Sequence, residues 1–352
     1  IQLSIRKDNN SEFYQWFYFR LCGARQTECT FKLVNAAGAA YVDGFRDYSV
    51  VYSYDRQEWS RQATQLLDGV LSWQFIPASD SVYFCYFAPY SMERHHDLIA
   101  RALRSPIFRH ELLGHTLDGQ DMDLLKVSNS KDVEKKNCWI IARQHPGETM
   151  AQWWAEGAIE SLLGNNHASL LEIANLYIVP NMNPDGSRRG HLRTNAAGRN
   201  LNREWETPSL EHSPEVFLVK EKAAETGVDF WLDVHGDESL PYCFIAGTEG
   251  LSNWSDAAQA RLDFYRRKLM DLNPDFQVEH GYPAKGKGQA NMTMSTSMIA
   301  DRHGCLAMTL EMPFKDTTAT PDSLHGWSPQ RSKKLAASCL HALEAYLRSD
   351  EY

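Results

Sequence analysis

Three stretches of this chain run from apolar residues into a side chain that can do chemistry. In Trp139-Ile140-Ile141-Ala142-Arg143-Gln144-His145-Pro146-Gly147-Glu148-Thr149, a strand-like run ends in an imidazole and, three residues on, a carboxylate. A helix-like stretch over residues 150–163 follows, so both groups sit at the carboxyl end of a strand, where open α/β sheets place their sites. Taken alone, His-Pro-Gly-Glu reads equally as half of a zinc site or as a solvated turn set by Pro146 and Gly147. Phe230-Trp231-Leu232-Asp233-Val234-His235 repeats the pattern with a second imidazole. His145, Glu148 and His235 together make a His-Glu-His set, a ligand set of catalytic zinc sites that keep a fourth position open. Asp233 alternates with His235 and either orients it from behind or caps a neighbouring loop.

The third stretch, Leu306-Ala307-Met308-Thr309-Leu310-Glu311, ends in a carboxylate hemmed by Met312, Pro313 and Phe314. Apolar surroundings raise a carboxyl pKa towards neutrality, which suits a general base; a salt-bridged edge glutamate is the bland alternative. Between the ligand candidates lies Asn181-Met182-Asn183-Pro184-Asp185-Gly186, then Arg193-Thr194-Asn195, then Gly198-Arg199-Asn200-Leu201-Asn202-Arg203. The run is too rich in Asn, Gly and Arg for core. A guanidinium forks onto two carboxylate oxygens and an amide adds a donor, so this arginine cluster in an acidic chain reads as an anion site.

These groups need elements to position them. Residues 13–21, 29–34, 50–54, 70–75 and 82–87 are aromatic and β-branched, separated by turn residues, and predict a small β-sandwich. A helix is expected over 91–104 from a Ser91 cap. From about residue 120 the rhythm changes. Strands at 139–142, 176–179, 230–234, 242–245 and 305–310 alternate with helices at 150–163, 214–226, 255–272 and 329–347. Ser213-Pro214 and Ser328-Pro329 mark two of the helix starts. The expectation is a sandwich over 1–118 and an α/β domain with a mostly parallel or mixed sheet over 119–352.

With 352 residues, 43% hydrophobic and 23% charged, the chain can bury a large core without disulfides. Its net charge of -9 argues against nucleic acid or anionic membrane as a partner. Seven scattered cysteines without a CxxC pair read as free thiols. No run approaches the length of a membrane span and the opening residues carry no signal-peptide pattern, so a soluble cytoplasmic protein is expected.

His145-Pro146-Gly147-Glu148, Asn183-Pro184-Asp185-Gly186, Asn200-Leu201-Asn202-Arg203, His235 and Glu311 together resemble the zinc metallocarboxypeptidase family typified by carboxypeptidase A. The His-Pro-Gly-Glu form and the opening Gln15-Trp16-Phe17-Tyr18-Phe19 resemble its cytosolic carboxypeptidase branch, in a bacterial-type member. The resemblance implies a mixed-sheet catalytic α/β domain behind an antiparallel β-sandwich. It implies one Zn2+ held by His145, Glu148 and His235, with Glu311 taking a proton from zinc-bound water. Arg193 is implied to stabilise the oxyanion, and Asn202 with Arg203 to hold the terminal carboxylate of a peptide or protein substrate. Two positions depart from the pattern: Asn200 stands where the family often has an acidic residue, and the family's mobile tyrosine has no clear counterpart, Tyr282 being a candidate that nothing around it in the sequence fixes.

A preference for acidic terminal residues needs a basic group in the pocket, and Lys285, Lys287 and Arg302 are the candidates. Two rival readings stand beside peptide hydrolysis. One is a zinc-dependent deacylase of N-acyl amino acids on the same fold; the other is a non-catalytic peptide-binding module.

Overall fold

The computed structural model describes residues 1–129 and 134–349. The N-terminal part contains β1 (Gln2–Leu3), β2 (Tyr18–Cys22), β3 (Cys29–Leu33), β4 (Ser49–Ser53), β5 (Ser60–Ala63), β6 (Gln65–Leu67), β7 (Val70–Phe75) and β8 (Ser81–Cys85). They form two four-stranded sheets, β1-β3-β7-β6 and β2-β8-β4-β5. Pairing is antiparallel except for the two-residue β1–β3 contact. Alternation puts Cys29, Phe31 and Leu33 of β3 inward and leaves Thr30 and Lys32 outside. Between the sheets Phe31 stacks on Trp73 at 5.0 Å and meets Phe84 at 4.9 Å, so aromatic rings fill the sandwich. The expected strand over 13–21 is shorter than predicted: only Tyr18–Cys22 pairs, and residues 8–17 run as a loop onto the second unit.

The second unit runs α1 (Met92–Ala102), β9 (Phe108–His115), β10 (Asp121–Val127), β11 (Lys136–Ala142), α2 (Thr149–Leu163), α3 (Leu170–Ile173), β12 (Ala174–Val179) and α4 (Pro184–Arg189). It continues with α5 (Pro214–Thr226), β13 (Phe230–Asp237), β14 (Phe244–Ala246), α6 (Asp256–Leu272), α7 (Ser295–His303), β15 (Leu306–Pro313) and α8 (Pro329–Leu347). Among the described residues the large sheet has the order β14-β15-β13-β11-β12-β10-β9. Its centre, β12-β11-β13-β15, is parallel and its edges are antiparallel, so the sheet is mixed. The strands carrying the chemistry are thus central and read as continuous apolar runs. Strand β9, inside the stretch assigned by sequence to the sandwich, pairs along its length with β10 of this sheet.

Helix α2 is buried over most of its surface, lying between the sheet and α8. Gly157 allows that approach, since a Cβ there would stand 2.4 Å from the Lys333 Cα. Ser328 caps α8 as expected, its hydroxyl accepting from the Arg331 N–H. Ser213 does not cap α5; its hydroxyl donates to Glu204 instead, at 3.2 Å.

Candidate active site

Strand β11 ends at Ala142, and the chain turns at once. Arg143 takes a left-handed conformation, φ 60°, that a non-glycine residue adopts only at some cost. Its guanidinium, 3% exposed, secures the turn by donating to the carbonyls of Pro146 (2.9 Å) and Tyr90 (2.9 Å) and to the Gln152 side chain (2.5 Å). That turn delivers His145 and Glu148 to the sheet's carboxyl edge. Gly147 is required in it, because a Cβ would lie 2.8 Å from the Leu192 carbonyl oxygen, which accepts the Gly147 N–H at 2.8 Å.

His145 Nδ1 lies 2.6 Å from Glu148 Oε1, and His235 Nδ1 lies 2.8 Å from Oε2 of the same carboxylate. The two Nδ1 atoms are 3.2 Å apart, and all three side chains are buried. Each far ring nitrogen is engaged: His145 Nε2 is 3.0 Å from Asn200 Oδ1, and His235 Nε2 is 2.9 Å from Asp233 Oδ1. Such outer acceptors fix the ring orientation and leave Nδ1 for a ligand. Asn200 therefore fills, as a neutral acceptor, the place where sequence comparison raised doubt. Asp233 is held in turn by Gln144 (2.6 Å) and by the hydroxyl of Ser295.

Burial and the nearby Arg193 charge push the His145 imidazole down to about 4, so it is neutral, the form that ligates metals. Burial opposes ionisation of Glu148, but His145 and His235 hold its carboxyl well below the ordinary range. Burial likewise opposes charge on His235, which the Asp233 and Glu148 carboxylates push well up.

Glu311 stands opposite His235 in the β13–β15 register. It is 6% exposed; its Oε1 accepts from the Tyr282 hydroxyl at 3.3 Å and its Oε2 has no partner among the described residues. Burial first, then the Glu148, Asp237 and Glu238 carboxylates, push it well above the usual carboxylate range. Three carboxylates (Glu148, Asp233, Glu311) and two imidazoles in one buried place, with Glu311 Oε2 left without a partner among the described residues, fit a divalent cation. A cation there would draw Glu311 back towards ionisation.

Arg193 lies on the loop after α4, its Nη1 4.0 Å from Glu148 Oε1. Asn202 and Arg203 lie on a 3-10 turn, Leu201–Arg203, with Asn202 Oδ1 accepting from the Ser295 N–H at 3.0 Å. All seven residues singled out by sequence, with Tyr282, border one cavity of about 660 Å³. The Tyr282 hydroxyl also donates to Asp237 at 2.6 Å. Of the three basic candidates only Lys285 borders the cavity; Lys287 donates to the Trp254 carbonyl at 3.1 Å, and Arg302 is on exposed α7 surface. Sequence reasoning missed Arg143, Glu238 and Tyr41, the last two also at the cavity wall. Their one signal was proximity to His145 or His235, and Tyr41 had none.

A buried His-Glu-His cluster at the carboxyl edge of a mixed sheet, with a glutamate beside it and arginines lining the same cavity, defines a metallohydrolase. Residues 1–87 match the family model for the cytosolic carboxypeptidase N-terminal domain, and residues 97–226 match that for zinc carboxypeptidase. A crystal structure from Shewanella denitrificans superposes with TM-score 0.97 at 50% identity, covering 99% of this chain and 93% of that one. A metallo-carboxypeptidase from Pseudomonas aeruginosa, in complex with (2-guanidinoethylmercapto)succinic acid, superposes with TM-score 0.96 at 43% identity, covering 99% and 94%. Cytosolic carboxypeptidase 6 of Caenorhabditis elegans is 28% identical over 92% of this chain and 76% of its own length. The chain belongs to the zinc carboxypeptidase family.

Proposed function

We propose that this metallocarboxypeptidase binds one zinc ion through His145, Glu148 and His235 and removes single residues from peptide or protein C-termini. The observation that carries the reading is the shared cavity, which the Asn202-Arg203 pair, Arg193, Glu311 and the His-Glu-His cluster all border. Zinc, when bound, supplies a Lewis acid for the scissile carbonyl and for water.

The chain's own groups do the rest. Asn202 and Arg203 grip the terminal carboxylate, which limits cleavage to the last peptide bond. Arg193 donates to the carbonyl oxygen as negative charge develops on it. Glu311, through its unpartnered Oε2, takes the proton of the attacking water and passes it to the leaving amine. Tyr282, held beside Asp237 and Glu311 at the cavity wall, is placed to contact the terminal residue.

We extend the proposal to a preference for acidic terminal residues, supported by Lys285 and Arg266 at the cavity wall. Arg266 is shared with Glu249 at 3.4 Å, so Lys285 carries most of this preference. Lys285→Glu should then reverse the ranking of peptides ending in Glu and Lys; an unchanged ranking would remove the preference. The same reading places the protein in the cytoplasm; among the described residues no helix is long and apolar enough to cross a membrane. The test of the reaction is peptide shortening by the zinc-loaded chain. Glu311→Gln should retain zinc and lose roughly 10²–10⁴-fold in kcat. Zinc-dependent release of acyl groups instead of C-terminal residues would favour a deacylase.

A further inference from the structure

The N-terminal unit reaches the active site through Tyr41 at the cavity wall and through one short turn. Residues 8–13 close on themselves, the Asp8 N–H donating to the Phe13 carbonyl at 2.9 Å, and insert against the loop that carries Arg193. The Asp8 carboxylate is 4% exposed and accepts four hydrogen bonds from that loop. They come from the N–H groups of Leu192 (2.6 Å), Arg193 (2.8 Å) and Thr194 (2.9 Å) and from the Thr194 hydroxyl (3.0 Å). His191 Nε2 lies 2.7 Å from Asn9 Oδ1, and a Cβ on Gly198 would stand 2.3 Å from the Asn10 carbonyl oxygen. The loop is therefore locked on both sides of Arg193 by residues nearly two hundred positions earlier.

The side chain is held by the same unit. The guanidinium lies over the rings of Phe13 (5.6 Å) and Tyr41 (5.4 Å). Among the described residues it donates no hydrogen bond. Ring faces attract the cation without consuming its N–H groups, which leaves them free for an incoming oxygen. A charged acceptor on three successive backbone N–H groups is stronger and stiffer than neutral bonding. The long arginine thus loses its freedom before substrate arrives, which is the condition for an effective oxyanion donor.

We propose that Asp8, Phe13 and Tyr41 are positioning residues for Arg193, so that the catalytic site is complete only with the sandwich docked. This rests on the carboxypeptidase reading of Arg193. Among the described residues none of the three hydrogen-bonds to His145, His235 or the Asn202-Arg203 pair, and Asp8 and Phe13 do not line the cavity, so the effect of Asp8 should fall on turnover rather than on zinc or substrate binding.

The experiment is steady-state kinetics of the full-length, zinc-loaded chain on a peptide, comparing Asp8→Ala, Arg193→Ala and the double variant. Asp8→Ala should lower kcat about 10–100-fold, the cost of a misplaced catalytic group, with zinc content and KM close to wild type. In the Arg193→Ala background the same change should cost almost nothing further, because both act through one donor. Tyr41→Leu, which leaves the Asp8 turn intact, should show a smaller loss with the same silence in that background. It carries the test if Asp8→Ala does not fold. A wild-type kcat in both variants, or losses that multiply with that of Arg193→Ala, would overturn the inference while the carboxypeptidase reading stood. A wild-type chain that binds zinc but shortens no peptide would overturn both.

Discussion

His145 and His235 present Nδ1 to the same point because each Nε2 is already engaged, one by a neutral amide and one by a carboxylate. As proposed ligands the two imidazoles are therefore not equivalent, and His145 has the weaker support. Asn200→Ala should weaken zinc about 10–100-fold, as removing an outer partner of a metal histidine does, measured by competition with a chromophoric chelator. Unchanged affinity would mean that Asn200 serves only its other acceptor role, to the Asn202 N–H at 3.1 Å. His145, His235 and Glu311 drew attention in the sequence because each closely follows an apolar run, and a polar group at such a point needs a reason; the structure brings them to one cavity. Asn200, Asp8 and Tyr41 were not legible in those roles. Their partners lie far off in sequence, and a polar residue in a loop carries no local sign of what it will face.

At the scale of elements, the β13–β15 register does most to build the site, since pairing Val234 with Leu310 necessarily sets His235 beside Glu311. The long helices were read well, α8 to its ends, because Ser-Pro starts and apolar periodicity agree there. Helix α7 was missed. It is nine residues long and opens Ser295-Thr296-Ser297, which favours turns over helix until tertiary packing buries it. Strands β9 and β10 were also missed; β9 is an edge strand carrying Arg109 and Glu111, and β10 beside it opens on Asp121 and Asp123, so charges interrupt the apolar pattern in both.

The start of α5 supplies a pH test. Glu215 is fully buried and, among the described side chains, is bonded only by Asn195, at 3.1 and 3.3 Å, and burial pushes its carboxyl up to about 8. A carboxyl raised in the folded state ionises first in the unfolded chain. Its contribution is fully present below the ordinary glutamate range and is lost as pH climbs towards 8. Glu215→Gln, which keeps an acceptor for Asn195, should therefore gain stability over wild type at pH 8–9, on the order of 1–3 kcal/mol, and gain nothing at pH 4. Equal gains at both pH values in denaturant melts would rule out this titration.

For the whole molecule, the two rhythms of the sequence became two packed units, and aromatic spacing was enough to foresee the sandwich. What the sequence did not reveal is how closely they interlock. The seven-stranded sheet begins at Phe108, and the turn of residues 8–13 lies against the Arg193 loop. Metal should stabilise this assembly by mass action, since the ligand set exists only when β11 and β13 are paired. With free zinc about 100-fold above its Kd the gain is about 2.7 kcal/mol, so chelation should lower Tm by several degrees and zinc should restore it. Glu148→Gln should lose this dependence. A Tm indifferent to zinc in the wild type would mean that the cluster does not bind it.

The most direct test of the central claim is mass spectrometry of a peptide library varied at the last residue, incubated with the zinc-loaded protein and with Glu311→Gln. Stepwise loss of one C-terminal residue by the wild type, suppressed in Glu311→Gln although zinc is retained, is the predicted result. Intact peptides beside stoichiometric zinc, or equal shortening by both proteins, would contradict it.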